Sequence, residues 1–387
     1  MGPFGSNIKV DIFIDFGIPV LNGSNLQGHK LNEESFNYVS EEKADSLGKA
    51  NAYRGDVVIT HRGTLGQIVY IPNDSKFERY VISQSQFRLK LDTSIVRPDF
   101  FVYYFHTREG QHKILMNASQ VGVPALARPT STFKKVSISL PSLKTQDEIM
   151  DVVLALDDKI ENNKKINENL EQQAQALFKS WFIDFEPFKD IKFIDSELGP
   201  IPEGWRVGTL DEIATITMGQ SPSGESLNDN KDGIIFYQGR TEFGFRYPSI
   251  RLYTTEPSRY AEPNSVLLSV RAPVGDINRA LIKCCIGRGL ASIRSLFGND
   301  SFLYYLMLSQ RTSLDIYNGE GTVFGSINRN ALEGLKIIIP PHKIIDKFDE
   351  IVVGIDSAIK SHFLENERLS ILRDTLLPKL MSGEIEV

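Results

Sequence analysis

The sequence predicts an α+β fold: two mixed, strand-rich globular domains separated by two long helices that pair as an antiparallel coiled coil, with an internal pseudo-two-fold repeat. Three observations predict it. Apolar residues at Ile149, Val153, Leu156, Ile160, Leu170, Ala174, Leu177 and Trp181 form a heptad seam, with Asn163 and Asn167 filling its gap. Adding 199 to these numbers lands on Phe348, Val352, Ile355, Ile359, Leu369 and Leu376, with His362 and Asn366 answering the two asparagines and one blemish at Arg373. Finally, the globular stretch before each helix resembles the other. Thr60-His61-Arg62-Gly63 answers Ser269-Val270-Arg271-Ala272 at the end of an apolar strand, and Phe101-Val102-Tyr103-Tyr104-Phe105 answers Phe302-Leu303-Tyr304-Tyr305-Leu306.

The elements follow in order. Residues 1–145 form the first globular domain, with one short helix near Pro98 to Leu115. Only 16 residues precede Gly17, whereas 28 separate Gly204 from Gly233 and include the strand-like Ile213-Ala214-Thr215-Ile216-Thr217-Met218, so the first domain is expected to lack its N-terminal strand. Residues 146–184 form the first long helix, with no Gly or Pro to break it. The turn-rich residues 185–205 are the linker, 206–342 repeat the globular domain, 343–381 repeat the helix, and 382–387 are a tail. The second half must turn back for the two seams to meet, which makes the pairing antiparallel. The polar seam residues Asn163, Asn167, His362 and Asn366 either fix its register or meet partner helices.

At 387 residues and 41% hydrophobic, the chain is long and apolar enough for two or three domains with real cores. No apolar run approaches the ~20 residues that cross a bilayer, and the start lacks the basic and apolar regions of a signal peptide, so a cytoplasmic location is expected. Cys284 and Cys285 are adjacent and read as packing residues of a strand. The net charge of −6 argues against nucleic acid until its distribution is considered. Residues 1–145 hold 17 Lys and Arg against 13 Asp and Glu, residues 231–300 hold 10 against 6, and residues 146–200 hold 6 against 13. The acidity therefore sits on the first helix and linker, and the stretches 1–145 and 231–300 each carry an excess of four positive charges. So small an excess is equally what a merely soluble surface would carry.

Catalytic constellations are missing. The sequence has no Walker phosphate loop, dinucleotide fingerprint, His-Glu-x-x-His or Cys-x-x-Cys, its six histidines stand at no metal-site spacing, and it lacks the Asn-Pro-Pro-aromatic tetrapeptide of amino-methyltransferases. The chain reads as non-catalytic, without metal or cofactor of its own. Polar and basic loops suited to groove-edge donors and acceptors are abundant. The candidates are Asn22, Ser24, Asn25, His61, Arg62, Thr64, Gln84 and Ser85 in the first half, and Arg240, Thr241, Arg271, Arg288, Ser326, Asn328 and Arg329 in the second. Phe243, Phe245, Tyr247 and Tyr253 read as core or rim packing.

Leu177-Phe178-Lys179-Ser180-Trp181-Phe182 at the end of the first helix and Leu198-Gly199-Pro200-Ile201-Pro202-Glu203-Gly204-Trp205 at the start of the second half carry a family resemblance. Further carriers are Gly2-Pro3-Phe4-Gly5-Ser6, Gly17-Ile18-Pro19-Val20, Arg54-Gly55-Asp56-Val57-Val58, Leu140-Pro141-Ser142-Leu143 with Gln146, and Ile338-Ile339-Pro340-Pro341. Over essentially its whole length the chain resembles the specificity subunit of type I restriction-modification systems. The resemblance implies two target-recognition domains, each reading one half of a split double-stranded DNA site, and helices whose length sets the gap. It implies two methyltransferase subunits docked on those helices, with Asn163, Asn167, Trp181, Phe182, His362 and Asn366 as candidate contacts, and motor-nuclease subunits in the full complex. S-adenosylmethionine, ATP and Mg would then belong to the partners. The competing expectation is a two-headed coiled-coil adaptor whose heads bind proteins; a nuclease or methyltransferase with a degenerate site is a weaker third.

Overall fold

The structure is a computed structural model that describes residues 2, 8–116, 118–119, 123–271, 273–319 and 325–387. Pro3 to Ser6 of the family-like opening and Ala272 of the strand-end motif lie outside these residues. The chain divides into two compact units, residues 1–162 with 364–387, and residues 163–363. The two long helices, Leu143–Phe182 and His342–Ser382, each contribute one half to either unit.

In the first unit, strand Ile18–Leu21 lies antiparallel to Asn37–Val39 and parallel to Arg79–Ile82, with Asn51–Tyr53 at the far edge. A second, antiparallel sheet sets Val57–Thr60 between Ile68–Tyr70 and Gln86–Leu89. Val57, Val58 and Ile59 are fully buried because both faces of their strand are covered. Val57 and Ile59 pack toward helix Pro98–His106 and toward Ile149, Met150, Val153, Leu377 and Leu380 of the long helices, and Val58 packs toward the other sheet. The short helix expected near Pro98 to Leu115 is two helices, Pro98–His106 and Arg108–Leu115. The break falls at Thr107, whose backbone is extended and whose hydroxyl accepts from Gly110 N at 3.1 Å, an N-cap that starts the second helix.

The second unit repeats this plan. Ile234–Tyr237 runs parallel to Cys284–Ile286 within a five-stranded sheet, so the pairing Val20↔Val81 and Leu21↔Ile82 returns as Phe236↔Cys285 and Tyr237↔Ile286. Val266–Val270 lies between Val274–Arg279 and Leu290–Ser295, and the latter also pairs with Ala214–Met218. This sheet has four strands; its counterpart in the first unit has three, with none among the described residues where Ala214–Met218 stands. Both cysteines are buried in their strand, and burial pushes the Cys284 thiol up to about 12.

Within each unit the helix halves run antiparallel. In the first, Asp157 meets Arg373 at 2.5 Å while Asn366 Nδ2 donates to Ile160 O at 3.3 Å, so the partner number falls as the first helix advances. In the second, Asn167 Nδ2 donates to Ile359 O at 3.2 Å and its Oδ1 meets His362 Nδ1 at 2.8 Å, whereas Phe178 and Phe182 lie 5.7 and 5.1 Å from Phe348. The fold is thus α+β, with a duplicated strand-rich domain and a duplicated long helix that pair in opposite directions.

Each repeat meets a helix carboxylate at the same point, half-buried Asp157 in the first and its buried equivalent Asp356 in the second. In the second unit Asp356 is gripped by Arg246 and Arg279 from the strand-rich domain, and accepts from Ser301 Oγ at 2.5 Å and Tyr305 OH at 3.2 Å. Arg246 is 1% exposed, also pairs with Glu171, and stacks over Tyr304 at 4.4 Å. Burial alone would push the Asp356 carboxyl up, but the two arginines outweigh it and hold it below the usual carboxylate range. In the first unit Asp157 is met by Arg373 of the second long helix, by the Tyr103 hydroxyl, and by His29 Nδ1 at 3.7 Å. His29 stacks on Tyr103 with ring centroids 3.9 Å apart and lies 4.3 Å from His106. Burial, reinforced by His106, pushes the His29 imidazole down to about 3, and burial lowers His106 as well.

These contacts set two expected outcomes. Phe348 is fully buried among Phe178, Trp181, Phe182, Phe302 and Tyr305, so Phe348→Ala should cost about 3–5 kcal/mol in denaturant unfolding. Folding lowers the pKa of His29 and, in the same direction, of His106 below the ~6.5 at which an unfolded histidine takes its proton. Their stabilising contribution is therefore complete above about pH 6.5 and is lost as the pH falls, by at most ~1.4 kcal/mol per pH unit each. Urea midpoints at pH 7.5 and 5.5 should differ less in His29→Asn than in the unaltered chain; equal differences would exclude His29 as a source.

Candidate nucleic-acid interface

In the second unit, five segments meet at one end of the two sheets. Val270 closes its strand by donating its N–H to Gly289 O at 2.9 Å and accepting at its carbonyl from Ile327 N at 3.1 Å. Arg271, the next residue, bridges to Ser326. The turn after Cys284–Ile286 lies against Gln238: Gly287 N donates to Tyr237 O at 2.8 Å and Gly289 N to Gln238 O at 3.2 Å. A Cβ on Gly289 would sit 2.7 Å from Gln238 O, which is why this turn is glycine-rich. Ser221 completes the edge, its hydroxyl facing the Gln238 amide at 3.0 Å and accepting from Arg288 N at 3.3 Å. The result brings Gln238, Arg240, Thr241, Arg271, Arg288 and Ser326, all exposed, onto one edge supported by backbone hydrogen bonds.

The first unit builds the same frame. His61 N donates to Ser85 O at 2.8 Å, Leu126 N donates to His61 O at 2.9 Å, and Arg62 bridges to Ala125. His61 thus occupies the place of Val270, and Arg62 that of Arg271. Arg62, Thr64 and Gln84 are exposed, and Ser85 is half-buried. Each domain therefore presents an exposed arginine at the same point of its frame, and a guanidinium can donate twice to one guanine edge or to a phosphate.

Several candidates are spent on the fold. Asn25 is 1% exposed; its amide nitrogen donates to Asn32 O and Ser35 O, each at 3.0 Å, and its oxygen accepts from Asn22 N at 2.9 Å. Asn22 in turn caps Ser24 N at 2.8 Å and accepts from the Ser24 hydroxyl at 2.6 Å, so this loop's polar groups largely satisfy one another. His61 is buried with Nε2 3.1 Å from Gln84 O, and burial lowers its pKa, so it holds the Ser83–Gln86 turn as a neutral ring. Asn328 caps helix Arg329–Glu333, and Arg329 pairs with Glu333 at 2.7 Å, facing a separate groove of about 510 Å³ with Thr215, Thr217 and Arg259. On the helices, Asn163 and Asn167 are buried, Phe182 joins the apolar core and Trp181 is half-buried against it, while His362 and Asn366 make the seam contacts already described.

The sequence reading missed Ser221 and Asp276. Asp276 pairs with Arg240 and, at 3.1 Å, with Arg311, and its own N–H donates to Ser269 Oγ at 2.9 Å. Its position inside a strand hid it; only the fold brings it to Arg240. The polar turn Gly219-Gln220-Ser221 after a strand was the available signal for Ser221.

A family model described as the type I restriction modification DNA specificity domain matches the chain twice, over residues 15–172 and 202–369. A protein of Methanocaldococcus jannaschii named for the specificity subunit of the type I restriction enzyme MjaX is 29% identical over 96% of this chain and 88% of its own length. The HindI specificity subunit of Haemophilus influenzae is 26% identical over 86% of this chain and 87% of its own. The crystal structure of a type I restriction-modification S subunit from M. genitalium shares the fold, with a TM-score of 0.57 at 15% identity over 96% of this chain and 91% of that one.

Proposed function

This chain belongs to the type I restriction modification DNA specificity family, and from that premise we propose that it is a non-catalytic specificity subunit whose two strand-rich domains each read one half of a split DNA site. On this reading the long helices set the gap between the half-sites and dock two methyltransferase subunits, motor-nuclease subunits join the full complex, and S-adenosylmethionine, ATP and Mg act on those partners. The observation that carries it is the repeated backbone frame presenting exposed Arg62 in one domain and exposed Arg271 in the other. Two copies of one reading surface suit a target in two parts. The basic excess of residues 1–145 and of 231–300, the stretch that carries Arg240, Arg271 and Arg288, and the acidity of the first helix and linker fit a chain that meets DNA through its domains.

The test is methylation mapping with the chain co-expressed with a type I methyltransferase subunit. Arg271→Ala should relax one position of one half-site by ~1–3 kcal/mol of discrimination and leave the other half-site intact. A phosphate contact would instead weaken all sequences alike and flatten the salt dependence. Deleting one heptad from each helix, residues 160–166 and 359–365, removes ~10 Å of rod. The gap should shorten by about three base pairs or modification should vanish, with both half-sites unchanged. Altered half-site bases at an unchanged gap would end the ruler reading, and no DNA preference at all would favour a protein-binding adaptor.

A further inference from the structure

In the second unit, two chain segments run from the long helices to the candidate DNA edge, and each is pinned by ion pairs at both ends. Strand Val274–Arg279 carries Arg279, paired with Asp356, at one end, and Asp276, paired with Arg240 and Arg311, near the other. The loop from Arg240 to Arg246 starts at the pair with Asp276 and ends at the pairs with Asp356 and Glu171. The two segments are laced together by Arg279 N donating to Arg246 O at 2.9 Å and Asn278 Nδ2 donating to Gly244 O at 2.8 Å. The ring Asp356–Arg279–Asp276–Arg240–Arg246–Asp356 is therefore closed.

Its two ends differ in strength. At the helix end Arg246, Arg279 and Asp356 have side chains 1%, 5% and 9% exposed, whereas Arg240 and Arg311 at the edge are 51% and 68% exposed. A desolvated ion pair with further hydrogen bonds fixes geometry far more firmly than an exposed one. We propose that Asp356 is a positioning residue for Arg240: through Arg246, Arg279 and Asp276 it sets where that guanidinium meets a base. The inference rests on reading this edge as the DNA surface. Asp276 engages one Arg240 nitrogen of a group with five N–H donors, leaving donors for a guanine edge, and such a contact tolerates only about 0.5 Å of misplacement.

The experiment selects bound sequences from randomised duplex DNA, using the full chain co-expressed with a type I methyltransferase subunit. Arg240→Ala should relax one position about tenfold or more. Asp276→Asn and Asp356→Asn should relax the same position by at least about fivefold, with the double variant of Arg240→Ala and Asp356→Asn no worse than Arg240→Ala. A merely structural role would lower binding at every position alike and would overturn the proposal, as would unchanged discrimination in Asp276→Asn. Circular dichroism shows whether Asp356→Asn folds. If it does not, Arg279→Lys, which keeps the charge but loses the guanidinium fork, replaces it and must relax that position for the proposal to stand. A silent Arg240→Ala would instead remove the reading of Arg240 as a base contact, and the positioning role with it.

Discussion

The carboxylate at one equivalent point of each long helix, Asp157 and Asp356, is the constraint to which the rest of the structure adapts. Asp356 is buried and Asp157 half-buried, and the more a carboxylate is desolvated without counter-charge or donors, the more it costs the domain. Each repeat must therefore bring cations or hydroxyls to that point, and doing so joins the strand-rich domain to the helix that carries the charge. In the second unit the joint also orders Tyr304, Tyr305 and Ser301 around Arg246 and Arg279.

The two repeats solve the same problem differently. In the second, both cations come from the strand-rich domain, so the domain itself neutralises the helix. In the first, the cation is Arg373 from the other helix half, and the domain contributes a neutral imidazole and a phenol, His29 and Tyr103. Arg373 is thus no defect in the heptad seam: its guanidinium gives up apolar packing to satisfy Asp157. The corresponding seam position in the first helix, Ala174, stays small and apolar in the core of a unit where the domain brings the charge.

The edge proposed to meet DNA follows from a second rule, that buried strand ends must satisfy their backbone groups. His61 and Val270 do so with the same two partners, a turn carbonyl and the amide of a later segment. Three chain segments are thereby fixed around one exposed arginine in each domain, which lets loops of unrelated sequence present the same kind of side chain at the same place.

The sequence by itself determined the duplication and the long helices, because heptad spacing and repeated strand ends are written in local patterns, and the antiparallel sense followed because the second half must turn back for the two seams to meet. It also pointed to Arg62, Arg271, Arg288 and Arg240 as surface residues, since exposed basic turns carry a local signature. Only the tertiary structure decided that Asn25 and His61 serve the fold, that Thr107 splits a helix, and that Asp276 faces Arg240. It alone joined Arg246 to Asp356, 110 positions apart. The reason is physical: burial and ion pairing depend on which distant segments meet, and spacing within one segment carries no record of that.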